Sequence, residues 1–457
     1  MTKQHSDIVD ATEMPTGKNR VGFEARRLAA RLLGLVVDEG HSLAALCDNA
    51  SGNAGYRALI TKDRAMVRAI LTTCLRNRGA ILTVMKKVMD RPEPKRARDL
   101  THNLHVAAAQ ILFMELPDSA AVNLAVAAIA ANRNTQRFKG FANAVLRRIG
   151  REKEELLKNT VPTAPVMPQW LQRQVRTDFG RENLEAMEAM ILLEPYLDIS
   201  LNGAHSSENW ETKLEATKLV TGSLRLTTDT PVHKLEGYKR GAWWVQNAAA
   251  AIPAKLLGDV SGLEVADLCA APGGKSAQLA SNGANVTMVD NSETRLARLV
   301  ENFERLELEG NVVCANLLDW KPAKQFDCVL LDAPCSSTGT LRRHPDVMWS
   351  KSPEEVKKLA KLQRQMLKKA IELTRPGGRI IFATCSLAKA EGEDVFSQML
   401  KDNKQVKALP VLPQELGGLS GIINGQGAVR CLPNHMALDP KRLGGLDGFF
   451  AGRLERL

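Results

Sequence analysis

Glu264-Val265-Ala266-Asp267-Leu268-Cys269-Ala270-Ala271-Pro272-Gly273-Gly274-Lys275 decides the fold. A strand-like run, 264–268, enters a loop of small residues, and Ser276–Ala280 beyond it reads as a helix. Glycine lets the backbone pass close to a ligand, and the start of a helix offers unpaired amides. Outward from this stretch the same alternation continues. Strands are expected at Val286–Val289, Val312–Cys314, Phe326–Leu331 and Arg379–Ala383, and helices at Glu293–Leu306, Pro353–Leu373 and Ala390–Leu400. Such alternation means a doubly wound, mostly parallel α/β sheet, which binds ligands at the carboxyl ends of its strands. Gly448–Leu454 reads as a last edge strand.

The loop lacks the GxxxxGK[ST] spacing of a phosphate-binding loop and the GxGxxG spacing of a dinucleotide site. Asp290 ends the second strand, Val286-Thr287-Met288-Val289-Asp290, where an acid can accept hydrogen bonds from ribose hydroxyls. A glycine loop without a pyrophosphate pattern, followed by a ribose acid, favours S-adenosylmethionine over NAD. An ordinary glycine-capped turn is the alternative.

Two cysteines follow two of the strands directly: Cys335 in Asp332-Ala333-Pro334-Cys335-Ser336 and Cys385 in Ala383-Thr384-Cys385-Ser386. The fold delivers both to one rim. A thiolate added to carbon 6 of a cytosine makes carbon 5 enamine-like, so that it can attack a sulfonium methyl. One cysteine can add while another group assists release, and Asp332 can hydrogen-bond the ring nitrogen. Amine methylation needs no such link. For an arbitrary cysteine, packing is the ordinary role.

The chain of 457 residues is too long for one core, and its composition, 44% hydrophobic and 25% charged, is that of a globular protein. No apolar run approaches the ~20 residues that span a membrane, and the polar start lacks the apolar core of a signal peptide. A cytoplasmic location is expected. Eight cysteines without a CxxC pair or a cysteine–histidine cluster exclude a disulfide framework and a structural zinc as expectations. Cys328, inside a strand, reads as a plain buried thiol.

The net charge of +11 is uneven: residues 1–150 hold 23 Lys and Arg against 13 Asp and Glu, the remainder 39 against 38. A basic module joined to a near-neutral one points to a polyanion partner, with a merely solvated basic surface as the alternative. Residues 22–150 read as a bundle of six or seven helices, with Leu28, Leu32, Leu33 and Val36 on one face and alanine-rich stretches at Val106–Leu112 and Ala120–Ala131. Residues 1–21 read as a disordered lead-in and 151–164 as a linker. Residues 165–240 read as a small α+β subdomain, with helices near Trp170–Phe179 and Arg181–Leu193 and strands near Leu197–Leu201 and Leu224–Thr227. Residues 241–457 form the α/β domain.

Asp267–Lys275, Asp332–Ser336, Arg342-Arg343-His344-Pro345-Asp346 and Ala383–Ser386 resemble the motifs of the RsmB/NOL1/NOP2/Sun family of RNA cytosine-C5 methyltransferases. Asp63-Arg64-Ala65-Met66-Val67-Arg68, Leu116–Asn123 and Lys139–Arg148 are similar to the NusB-like RNA-binding domain of its bacterial RsmB branch. The resemblance covers nearly everything after residue 21. It implies a Rossmann-like class I methyltransferase domain behind an all-α NusB-like bundle. It also implies Cys385 as nucleophile and Cys335 as promoter of product release. Cys269, Ala270, Ala271, Pro272, Gly273, Gly274, Lys275, Asp290 and Asp332 would line the S-adenosylmethionine site. The substrate would be one cytosine of small-subunit (16S) ribosomal RNA. Where relatives carry a third acid, this chain has Asn316, with Asp319 three residues on, and either can hold the position. Val245-Gln246-Asn247 departs from the usual Val-Gln-Asp.

A stacked, paired cytosine hides carbon 6, so the target must be single-stranded or flipped out. Phosphate contacts are expected from Arg64, Arg68, Arg147 and Arg148 in the bundle and from Arg342 and Arg343 in a basic loop. No metal is required, and nothing demands more than a monomer. A DNA cytosine methyltransferase is disfavoured by the missing Pro-Cys-Gln context and by the NusB-like domain. A non-catalytic RNA-binding factor is disfavoured by the intact loop and both cysteines.

Overall fold

A computed structural model describes residues 22–457 except Arg91, Glu93, Lys95 and Asp229; the lead-in expected over 1–21 lies outside the described residues. Two units emerge, one running to Leu171 and including His344–Lys351, the other comprising Gln172–Arg343 and Ser352–Leu457.

The first unit is helical. Its long helices are Phe23–Glu39, Thr61–Arg76, Arg78–Val88, Arg98–Phe113, Asp118–Ala131 and Lys139–Arg151. Leu32, Leu33 and Val36 of the first helix are fully buried, as their spacing predicts, whereas Leu28 is only partly so. Ala107, Ala108 and Ala109 are also fully buried, where short side chains let neighbouring helices approach closely. The expected linker is instead a helix, Lys153–Asn159, and a 3₁₀ turn, Val161–Thr163. Leu156 is the reason: flanked by charged residues and by a partly buried Leu157, it is fully buried in the bundle's core. Residues 344–351 also pack in this unit, where the Asp346 carboxylate accepts the Leu43 amide at 3.0 Å and the Trp349 indole donates to the Leu75 carbonyl at 2.8 Å.

Helix Gln169–Ile191, most of which belongs to the second unit, breaks at Gly180 (φ +85°), so the two expected helices meet end to end. A four-stranded antiparallel sheet follows: β1 (Leu197–Leu201), β2 (Ala216–Lys218), β3 (Leu224–Leu226) and β4 (Trp243–Val245), in the order β2-β3-β1-β4. The subdomain thus runs past residue 240, because Trp243 and Trp244 pair with Leu201 and Ser200.

The larger sheet contains β5 (Glu264–Leu268), β6 (Asn285–Asp290), β7 (Asn311–Cys314), β8 (Phe326–Asp332), β9 (Thr374–Thr384), β10 (Val406–Ala408), β11 (Val429–Cys431) and β12 (Phe449–Arg456). Its order is β10-β12-β9-β8-β5-β6-β7, with β11 also on β12. From β7 to β9 every pairing is parallel; β12 runs antiparallel to β9. Val329, Leu330 and Leu331 are fully buried on successive positions, the mark of a strand covered on both faces. The expectation of β12 as an edge strand is corrected, because β10 and β11 cover its free side. Helix Pro353–Leu373 starts where Ser352 accepts the Glu355 amide and Pro353 occupies the first turn. Val356, Ala360, Gln363, Leu367, Ala370 and Ile371 bury one face of it. No helix of the described residues is long and apolar enough to cross a membrane.

Candidate active site

The ends of β5, β6, β8 and β9 bring the site together. After β5, the chain turns at Cys269 (φ +62°) and at Gly273 (φ +98°), which caps helix Gly274–Ser281. A Cβ on Gly273 would lie 2.8 Å from Leu299 Cγ, so a side chain fails there on both backbone and space. A cavity of about 410 Å³ is lined by Cys269, Ala271, Asp290, Asn316, Asp332, Cys335 and Cys385, among others. A smaller one of about 170 Å³, beside Gly274, Lys275 and Asp332, is lined by Asp267.

Asp290 accepts the amides of Ala271 and Ser292 and pairs with Arg295 at 2.8 Å. A carboxylate has about four acceptor positions, so capacity remains for hydroxyl donors. Asn316 is exposed in the larger cavity and donates to Asp319 at 2.6 Å, which places Asn316 rather than Asp319 at the lining. Asp267 Oδ2 accepts the Ser276 hydroxyl, while its buried Oδ1 has no hydrogen-bond partner. Burial pushes this carboxyl up to about 7. An acid so placed is matched by a ligand cation. Sequence reasoning passed over Asp267 as a strand residue, although an acid in an apolar strand beside the glycine loop was the available signal.

Lys275 donates to Asp332 at 2.6 Å and lies over the Phe449 ring. Burial opposes its charge, but the carboxylates of Asp332 and Asp267 outweigh it and raise its affinity for the proton. Cys269 is pushed up to about 12, by burial first and by surrounding carboxylates next, and remains a thiol.

The sulfurs of Cys335 and Cys385 are 3.4 Å apart. Their surroundings differ. The Cys335 thiol, the Ser337 hydroxyl at 3.6 Å and the Lys275 ammonium favour a negative charge on Cys385, and its titration is lowered despite burial and Asp332. Cys335 is raised well above the ordinary thiol range by its hydrogen bond to Cys385, by burial and by Glu391. Of the two, Cys385 is therefore the thiol that gives up its proton more readily and Cys335 the one that keeps it. Cys47, Cys74, Cys328 and Cys431 are buried packing residues.

The basic loop is a correction. Arg342 is 1% exposed, and Arg343 is bound by Asp198, Asp447 and the Tyr196 carbonyl. Both lie in a buried ionic cluster centred on Asp198, which also takes a two-pronged contact from Arg225 at 2.6 and 2.9 Å. Neither is available to a phosphate. In the helical unit Arg68 and Arg147 are exposed and Arg64 partly so, while Arg148 is drawn into an ion pair with Glu152 at 2.8 Å. Among the described residues no cluster of His, Cys, Asp or Glu could hold a metal ion.

A parallel sheet closed by an antiparallel β12, with the acid Asp290 ending β6 and no pyrophosphate loop, is the frame of a methyltransferase that uses S-adenosylmethionine, the class that the relatives below share. The lining fits that cofactor: Asp267 offers an unpartnered acceptor for its ammonium, and Asp290 and Asn316 offer polar contacts for its nucleoside. Residues 254–455 match the family described as 16S rRNA methyltransferase RsmB/F, and residues 24–151 match the NusB family. Ribosomal RNA small subunit methyltransferase B of Vibrio cholerae is 32% identical over 413 residues, covering 86% of this chain and 94% of that one. Its counterpart in Cronobacter sakazakii is 32% identical over 390 residues, 82% and 89% of the two chains. The crystal structure of PH0851 superposes with a TM-score of 0.73 at 22% identity, over 97% of this chain and 100% of that one. NSun6 from Pyrococcus horikoshii, solved with SFG, gives 0.54 at 18% identity, over 63% and 98%. Both are likenesses of fold. The chain belongs to the RsmB/Sun family of S-adenosylmethionine-dependent small-subunit rRNA methyltransferases.

Proposed function

We propose that the protein methylates carbon 5 of one cytosine in small-subunit (16S) ribosomal RNA through a covalent bond between Cys385 and carbon 6. The observation that carries this reading is the pair of sulfurs 3.4 Å apart, with opposite charge preferences, on the rim of the cofactor cavity. Cys385, the more readily ionised of the pair, adds to carbon 6 as a thiolate. Asp332, held by Lys275, hydrogen-bonds the protonated ring nitrogen and steadies the electron-rich ring. Bound S-adenosylmethionine supplies an electrophilic methyl group. Carbon 5 would take that methyl, with the bonding electrons left on the sulfonium sulfur. It then gives up its proton to solvent, the 5,6 double bond re-forms, and Cys385 leaves as a thiolate stabilised by a hydrogen bond from the Cys335 thiol beside it.

The substrate base must leave its stack to reach the thiolate, which directs the enzyme to unpaired RNA. Arg64, Arg68, Arg147 and Arg148 are our candidates for phosphate contacts in the NusB-like unit, with binding that weakens as salt rises. We take the monomer, acting in the cytoplasm, as the working unit.

The test is to incubate the enzyme with S-adenosylmethionine and unmodified small-subunit RNA, then digest to nucleosides for mass spectrometry. The expected product is 5-methylcytidine at a single position. A methyl group on a different base, or on a cytosine amino group, overturns the reading.

A further inference from the structure

Glu391 is fully buried, outside the cavity that the two cysteines line. One carboxylate oxygen accepts the Ser336 amide at 2.9 Å and the Gln363 side-chain amide at 3.1 Å. The other accepts the hydroxyls of Ser336 at 2.5 Å and Ser386 at 2.6 Å. Its backbone carbonyl accepts the Thr384 hydroxyl at 3.1 Å, and Gln363 also donates to the Pro334 carbonyl at 2.9 Å. The residues before and after Cys335, and those before and after Cys385, are thus all tied to Glu391, directly or through Gln363.

A charge removed from water is costly unless every acceptor position is matched, and an apolar side chain of the same size fills such space at lower cost. What a carboxylate adds is reach to both loops at once. We propose that Glu391 is a positioning residue for methyl transfer, the group that holds Cys335 and Cys385 at their working separation. The proposal rests on the two-cysteine chemistry above. It touches neither substrate nor cofactor and acts through the thiols.

Glu391→Gln keeps the length, but its NH₂ must face either the Ser336 and Gln363 amides, which can only donate, or the two serine hydroxyls, which must then turn round to accept it and give up the bonds they now donate. Steady-state kinetics on small-subunit RNA should show kcat reduced at least about tenfold, the order expected when a reacting group shifts by a fraction of an ångström. KM for RNA and Kd for S-adenosylmethionine should stay within about twofold of wild type, because uniform binding is untouched. The discriminating readout is the pH profile of Cys385 alkylation by iodoacetamide, followed peptide by peptide in the enzyme without RNA. Its midpoint should move up as Cys385 loses the thiol that supports its charge. Ser386→Ala, which removes a single donor, should shift both readouts in the same direction by less, and it decides the matter alone if Glu391→Gln does not fold. An unchanged kcat and alkylation profile in folded variants overturns the proposal. So does a loss of activity that tracks a lower Tm and weaker cofactor binding while the thiol profile stays at wild type. Failure of the covalent reading is separate: it shows as methylation surviving Cys385→Ala, whereas the alkylation profile reports on Glu391 in either case.

Discussion

Replacing Asp267 with Asn should remove a pH effect on stability. In the folded chain, burial pushes the Asp267 carboxyl from its ordinary 3.8 up to about 7. The folded state therefore holds a proton that the unfolded state releases near pH 4. Stability from this group is fully present below that pH and is lost as pH rises to about 7. The full difference of about three units corresponds to on the order of 4 kcal/mol, at 1.36 kcal/mol per unit. Between pH 5 and pH 8 about two of those units are traversed, so wild type should lose roughly 3 kcal/mol from this site that Asp267→Asn does not lose. Urea unfolding at both pH values, followed by tryptophan fluorescence of the catalytic unit, gives the difference between the two proteins. The wild-type-minus-variant stability should fall by roughly 3 kcal/mol from pH 5 to pH 8. The same ionisation prepares the acceptor for a cationic ligand, so S-adenosylmethionine affinity of wild type should rise through pH 7 and that of Asp267→Asn should not. A wild-type-minus-variant stability that is equal at pH 5 and pH 8 refutes the reasoning.

Arg225→Met strips Asp198 of its two-pronged partner at a fully buried site and should cost about 3–5 kcal/mol, read as a drop in denaturation midpoint; a cost below about 1 kcal/mol means the cluster is not structural. Leu156→Ala should destabilise the helical unit by about 2–5 kcal/mol, whereas a true linker residue would tolerate the change. Gly273→Ala places a Cβ at φ +98° and against Leu299. It should cost at least about 1–2 kcal/mol and weaken S-adenosylmethionine binding about tenfold by calorimetry. Unchanged affinity there would mean that the loop does not meet the cofactor.

The catalytic sheet was legible because its signals are local. Asp267–Lys275, Asp290, Asp332-Ala333-Pro334-Cys335 and Thr384-Cys385 each end a strand, and topology alone collects strand ends on one rim. What sequence reading missed depends on partners far along the chain. Arg342 and Arg343 look like a solvated basic loop until Asp198 and Asp447 arrive, more than 100 residues away in either direction. Glu391 sits in a polar run, Lys389-Ala390-Glu391-Gly392-Glu393, that gives no hint of burial; its meaning comes from Ser336, Gln363 and Ser386. Leu156 was hidden by the charges of Lys153, Glu154, Glu155 and Lys158, since one buried face on a short helix leaves little periodicity. β12 read as an edge because β10 and β11 are three residues each, too short to announce themselves.

The two thiols divide the labour of addition and release, and trapping the covalent adduct separates them. Wild type, Cys385→Ala and Cys335→Ala are incubated with S-adenosylmethionine and unmodified small-subunit RNA, then run on a denaturing gel. Cys335→Ala should accumulate a protein–RNA adduct that Cys385→Ala cannot form, and Cys385→Ala should make no product. Methylation that survives in Cys385→Ala, or an adduct trapped by that variant instead, contradicts the account.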